Sequence, residues 1–151
     1  MTIEQFIKTT ELTIDKKTIL NIMYTQNVLN DRFSEILKAY DLSAEQFNVM
    51  RILRGQKGKP ANMHVIQERM IAKTSNTTRL VDKLLIKNLV TREVCPNNRR
   101  KMEVMITHKG MELLSELDPI ITAHEKKHAA NLSATELETL NSLLEKFRTL
   151  K

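Results

Sequence analysis

The sequence predicts a mainly α-helical domain with a single β-hairpin embedded in it. Three observations carry that reading. Only three Gly and three Pro occur in 151 residues, against many Leu, Lys, Glu and Met, a composition that favours helix. Apolar residues recur at helical spacing over most of the chain. The stretch 74–107 departs from that single period and runs helix, turn, strand, tight loop, strand.

Composition bounds the rest. A chain of 151 residues suits one domain and is long enough to bury a core of its own. With 41% apolar and 28% charged residues it reads as globular rather than disordered. No apolar run approaches the ~20 residues of a membrane span, and Met1-Thr2-Ile3-Glu4 lacks a signal-peptide pattern. A single Cys cannot close an internal disulfide, so the expected compartment is a reducing cytoplasm.

In order along the chain, Ile3, Phe6 and Ile7 give a short amphipathic helix, and Asp15-Lys16-Lys17 interrupts the pattern. A long helix is expected from about Thr18 to Tyr40, with Ile19, Ile22, Met23, Leu29, Phe33, Ile36 and Leu37 at helical spacing. Ser43 and Gln46 form a capping box opening a helix with Phe47, Met50 and Leu53 inward. The segment 55–60, with Gly55, Gly58 and Pro60, is a loop. Asn62 caps a short helix burying Met63, Ile66 and Met70; Ile71-Ala72-Lys73 is the turn; Thr74 or Ser75 caps the helix after it. Two helices joined by about three residues make a helix-turn-helix.

The second of those helices is amphipathic in an unusual way. Thr77, Leu80, Val81, Leu84 and Leu85 share one face, with Ser75, Asn76, Arg79, Asp82 and Lys83 opposite. Arg forks onto guanine and Asn onto adenine in a major groove, and Ser or Thr at a helix start can bind phosphate beside free backbone N–H groups. A solvated polar face is the ordinary reading of such a pattern. Against it stand the short hydrogen-bonding side chains at the helix start and the basic hairpin that follows at once. In the hairpin Met102, Val104 and Ile106 face one way and Glu103, Met105 and Thr107 the other. Its expected tip, Pro96-Asn97-Asn98-Arg99-Arg100-Lys101, joins turn chemistry to three successive cations. Beside a polar-faced helix it reads as a wing that inserts Arg into a minor groove.

Charge supports this assignment. From Lys73 to Lys101 there are eight Lys or Arg and two Asp or Glu, a net +6 that equals the charge of the whole chain. A localised basic patch is the footprint of a phosphate-binding surface.

The ordered set Ser75, Thr78-Arg79-Leu80-Val81-Asp82, Leu84, Leu89, Val90, Arg92, Pro96, Arg99, Arg100, Thr107 and Gly110 resembles the MarR-type winged-helix regulators. The helix order fits as well, including Leu132-Ser133 before the last helix. Some family positions differ: Asn98 stands where an acidic residue usually precedes the wing's Arg pair, and Cys95 where another precedes Pro96. Asn88 replaces the Gly that usually closes the recognition helix and also tolerates the left-handed conformation. The resemblance implies a winged helix-turn-helix lobe at 41–107, and a helical dimerisation region formed by 1–40 and 108–151. It implies a homodimeric, DNA-binding transcriptional regulator, read as a repressor on a pseudo-palindromic operator, with room for a small-molecule or metal effector and no cofactor. The expected DNA-binding residues are Asn62, Lys73, Thr74, Ser75, Asn76, Thr78, Arg79, Lys83, Asn97, Asn98, Arg99, Arg100 and Lys101. A winged helix that binds nucleic acid without sequence choice is the neighbouring alternative.

Two features invite other chemistry. Cys95 could sense oxidants beside Arg92 and Arg99, but no second Cys exists to resolve an oxidised thiol, and a half-buried strand position is the expected role. His124-Glu125-Lys126-Lys127-His128 spells H-E-x-x-H, the zinc-hydrolase motif. It lies in the helix from His108 to about Ala130, which Thr107 caps and Pro119 is expected to bend or break. Two His at i,i+4 can hold a metal, yet a hydrolase also needs a third ligand and a cleft. The expectation is therefore a protein that is not an enzyme, with His124 and His128 as metal candidates of second rank. Ser133 and Glu136 form another capping box, and Leu137, Leu140, Leu143, Leu144, Phe147 and Leu150 complete the last amphipathic stripe.

Overall fold

The computed structural model describes residues 2–9 and 11–149; Leu150, expected at the end of the last apolar stripe, lies outside them. The elements are α1 (Ile3–Ile7), α2 (Ile14–Lys38), α3 (Ala44–Gly55), β1 (Ala61–Asn62), α4 (Met63–Arg69), α5 (Thr77–Ile86), β2 (Val90–Cys95), β3 (Asn98–Ile106), α6 (His108–Ala129) and α7 (Ala134–Arg148). The chain divides into two compact units, 1–111 and 112–151.

In the first unit the core gathers around α3. Phe47, Val49, Met50, Ile52 and Leu53 are buried there, with Leu37 of α2, Ile66 of α4, Val81 and Leu84 of α5 and Val104 of β3. Phe33 packs edge-on against Phe47, ring centres 5.4 Å apart, a geometry that aromatic quadrupoles favour. Ser43 and Gln46 make the expected reciprocal cap, and Asn62 Oδ1 accepts from Val65 N–H at 3.0 Å.

Four boundaries differ from the sequence reading, each for a physical reason. The helix α2 starts at Ile14 rather than Thr18, because Thr13 caps it and Asp15 in the first turn suits the helix dipole. Lys17, within that turn, pairs with Glu4 and ties α1 to α2. The helix α5 starts at Thr77: its cap is Asn76, not Thr74 or Ser75, with Asn76 Oδ1 accepting from Arg79 N–H at 3.1 Å. The wing's turn is only Pro96-Asn97, since Asn98–Lys101 already belong to β3. Finally, α6 runs through Pro119 without interruption; one missing N–H leaves the hydrogen bonds of the flanking turns to hold the helix.

The sheet is three-stranded and antiparallel, in the order β1-β3-β2. Its smallest strand, the two residues Ala61–Asn62 opposite Val104 and Glu103, was not anticipated from the sequence. β2 and β3 pair regularly from Val90↔Ile106 to Val94↔Met102, after which Cys95 pairs with Asn98. Arg99, Arg100 and Lys101 are the extra residues absorbed by that shift, a bulge of the kind that bends and twists a strand.

In the second unit α6 buries Leu114, Leu117 and Ile121, the face expected of it. The Ser133–Glu136 capping box opens α7 as predicted. No residue of α7 is buried, and Leu140, Leu143 and Phe147 are exposed.

Candidate nucleic-acid interface

The helix α5 is fixed at its start, middle and end. At its start, Thr77 is 6% exposed, and its hydroxyl donates to Gln67 Oε1 of α4. Gln67 Nε2 donates in turn to the carbonyl of Lys73, at 2.7 Å, while Asn48 Oδ1 of α3 accepts from Ile71 N–H at 2.9 Å. These bonds give the segment 70–76 defined partners despite its lack of regular structure. In the middle, Arg92 Nη1 of β2 meets Asp82 Oδ1 at 2.7 Å, a charge-assisted bond between the wing's root and the helix. At the end, Lys87 Nζ pairs with the Asp41 carboxylate at 3.1 Å and reaches Gln46 Oε1 at 3.3 Å.

The helix closes in a Schellman motif. Asn88, at φ 56°, is left-handed; its N–H bonds Leu85 O, and Leu89 N–H bonds Leu84 O. Lys109 Nζ donates to the Lys87 carbonyl at 3.0 Å, placing a cation at the negative end of the helix. Thr107 Oγ1 donates to Asn88 O at 2.9 Å and accepts from Gly110 N–H at 3.0 Å. The helix end, the wing and the start of α6 thus share one junction.

With α5 held in this way, its outer face presents Asn76, Thr78, Arg79 and Lys83, all exposed, and Ser75, half-buried. Thr74, Ser75, Asn76, Arg79 and Lys83 line one open groove with Ser43 and Glu45 of the α3 start. Lys73 Nζ donates to the Glu68 carbonyl at the end of α4, so its charge sits at that helix's negative terminus. Asn62 is half-buried and its side-chain oxygen caps α4. On the wing, residues 96–101 are all exposed, and Asn98 Oδ1 accepts from Arg100 N–H at 3.0 Å. The position where an acidic residue was expected therefore shapes the backbone beside the Arg pair. Cys95 is half-buried, as anticipated for a strand position.

Sequence reasoning did not single out Gln67, Asn48 or Lys87. Their partners lie 6 to 46 residues away, beyond any local motif. The Asp82–Arg92 link had one legible sign: both residues belong to the ordered set that carries the family resemblance, though their pairing does not follow from it.

A family model for the MarR family matches residues 42–102, the span from the start of α3 into β3 that builds this surface. The chain is similar to MarR-family transcription regulators over this span. It is 27% identical over 118 residues to the HTH-type transcriptional regulator MhqR of Bacillus subtilis strain 168, covering 78% of this chain and 80% of that protein. A MarR transcription factor from Planctomyces limnophilus superposes with a TM-score of 0.70 at 29% identity, covering 90% of this chain and 98% of that one. A MarR-like transcription regulator from Bacillus cereus ATCC 10987 gives 0.79 at 25% identity, over 89% and 95% of the two chains. The winged-helix fold expected from the sequence is the one observed.

In the second unit, His124 and His128 lie with ring centres 4.5 Å apart. Among the described residues, no group of three or more His, Cys, Asp or Glu side chains is placed to hold a metal ion. No helix among those residues is long and apolar enough to cross a membrane.

Proposed function

We propose that this chain is a MarR-family regulator that binds a pseudo-palindromic double-stranded operator as a homodimer, acts there as a repressor in the cytoplasm, and has no enzymatic activity. In each protomer α5 enters a major groove and the wing follows the adjacent minor groove. The observation that carries the reading is the outer face of α5, where Thr78, Arg79 and Lys83 are exposed on a helix with polar tethers along its length. The exposed basic strand 98–101 belongs to the same compact unit. Arg79 reads a base edge; Lys73, Thr74, Ser75, Lys83 and Lys101 meet phosphates; Asn97, Asn98, Arg99 and Arg100 lie along the minor groove. Asn62 contributes by capping α4, which carries the turn. Asn76 Oδ1 already accepts from Arg79 N–H in capping α5, which leaves one lone pair and its amide N–H₂ for the DNA. The helices of 1–40 and 108–151 form the dimerisation region. A small-molecule or metal effector remains part of the proposal through the family likeness, with His124 and His128 as metal candidates; a zinc titration of DNA affinity tests that part.

The main test is fluorescence anisotropy across a salt series, on a duplex selected by the protein and on random DNA. Arg79→Ala should cost roughly 1–3 kcal/mol on the selected duplex and much less on random DNA. Arg99→Ala should weaken both more evenly, because minor-groove readout is degenerate. Lys101→Ala should reduce the salt slope by about one unit per subunit. Equal losses on both duplexes for Arg79→Ala would show that α5 does not read sequence.

A further inference from the structure

The geometry points to Gln67 as a positioning residue for sequence readout: it sets the place of the α5 N-terminus through Thr77 and the Lys73 carbonyl. The inference rests on the DNA-binding role proposed above and names a residue outside the surface that role uses.

The direction of each hydrogen bond follows from chemistry alone. A backbone carbonyl only accepts, so the Gln67 group facing Lys73 O, at 2.7 Å, must be the amide N–H₂. The Gln67 oxygen then faces Thr77, and the Thr77 hydroxyl must donate to it. Both ends of one carboxamide are thereby assigned, one to the turn and one to the first residue of the recognition helix. Thr77 is 6% exposed, so its hydroxyl has little access to water as a substitute partner. Asn76, the adjacent residue, caps α5 through the N–H of Arg79. The backbone that fixes Arg79 is thus one residue removed from the atom that Gln67 holds.

The other tethers act farther along. Asp82–Arg92 holds the middle of α5, and Lys87–Asp41 its end. Without the Gln67 bridge α5 keeps those two, together with the buried side chains of Val81 and Leu84, and the lobe stays folded. What loosens is the first turn, where Thr78 and Arg79 project. Base-edge hydrogen bonds weaken steeply with misalignment, whereas attraction to phosphate tolerates it. Loss of the bridge should therefore reduce discrimination more than overall affinity.

The test measures binding to a duplex selected from a random library by the wild-type protein, and to the unselected library. It uses Gln67→Met, which keeps length but removes both polar atoms, Thr77→Val, which removes the donor, and Thr77→Ser, which restores it. Thermal melts establish that each variant is folded at the assay temperature. Gln67→Met and Thr77→Val should lose about tenfold on the selected duplex, near 1.4 kcal/mol, with under about twofold change on the library and with Thr77→Ser close to wild type. If Thr77→Val does not fold, Gln67→Met decides, because its side chain is only half-buried. Equal losses on both DNAs, no loss on either, or a Thr77→Ser defect matching Thr77→Val would each overturn the inference. A wild-type protein that selects no sequence would instead remove the DNA-reading proposal, and this inference with it.

Discussion

Gly110 shows how much one hydrogen atom decides at the residue scale. A Cβ built there would sit directly against the Leu89 carbonyl oxygen and 2.7 Å from Ile106 Cγ1. The Leu89 carbonyl is backbone, held by the N–H of Thr107, so it cannot swing aside as a flexible side chain would. Gly110→Ala should therefore destabilise the lobe by about 1–3 kcal/mol, as overpacking does. The check is a thermal melt, and an unchanged midpoint would disprove the close approach. The glycine belongs to the motif by which the sequence resembles its family, yet its reason is steric: it lets α6 start against the hairpin. Asn88 next to that junction is the complementary case, a side chain at φ 56° where Asn is among the few residues that pay little strain.

At the scale of elements, caps decide where helices begin, and Glu136 gives one of them a pH dependence. Its carboxylate accepts from Ser133 N–H at 2.8 Å, and that bond, followed by the Ser133 hydroxyl, holds its pKa below the ordinary glutamate value. A depressed folded-state pKa means that the cap stabilises α7 above the unfolded value and is lost as pH falls through the folded one. Carbon-13 NMR should find Glu136 titrating below an ordinary glutamate, and the amide protons of the first α7 turn should exchange faster in acid. Glu136→Gln keeps an acceptor and should abolish that acid dependence; a normal midpoint for Glu136 would refute the assignment. Such boxes were legible in sequence because donor and acceptor are three residues apart, as at Ser43 and Ser133. The start of α5 was not. Thr74, Ser75 and Asn76 are three successive residues that can each cap, and the neighbouring bond from the Thr77 hydroxyl to Gln67, ten residues away, belongs to no local motif. The start of α2 was missed because Asp15-Lys16-Lys17 looks like a break until Thr13 caps it and Lys17 finds Glu4. The strand β1 and the wing's register depend on pairing with distant residues, which periodicity alone does not encode.

At the scale of the whole molecule, both ends of the chain carry exposed apolar residues at helical spacing. Phe6, Ile14, Ile19, Met23 and Leu29 are exposed in α1 and α2, and Leu140, Leu143 and Phe147 in α7. Contiguous exposed apolar patches are typical of protein–protein interfaces, and that is the role proposed for these helices. Light scattering should find the full-length protein dimeric at micromolar concentration, and removal of residues 133–151 should give a monomeric or aggregating species. A stable full-length monomer would defeat the dimer. An exposed basic face was legible in sequence at this scale because the net charge is confined to 73–101, whereas the hydrogen bonds behind it, made by Gln67, Asn48 and Lys87, were not.

The tethers on α5 have a consequence for the other molecule in the complex. On the DNA-reading role proposed for α5, a helix tethered at Thr77, Asp82 and Lys87 leaves more of the mutual fit to the duplex. Deformation energy varies with base sequence even where no side chain touches, and pyrimidine–purine steps are the easiest to kink or unstack. Selected sites should therefore be enriched in TA and CA/TG steps at positions that footprinting shows to be uncontacted. Replacing such a step with a stiff A-tract should weaken binding while every direct contact is kept. Part of the specificity would then be stored in the mechanics of the operator, and indifference of affinity to those uncontacted steps would argue that the helix yields instead.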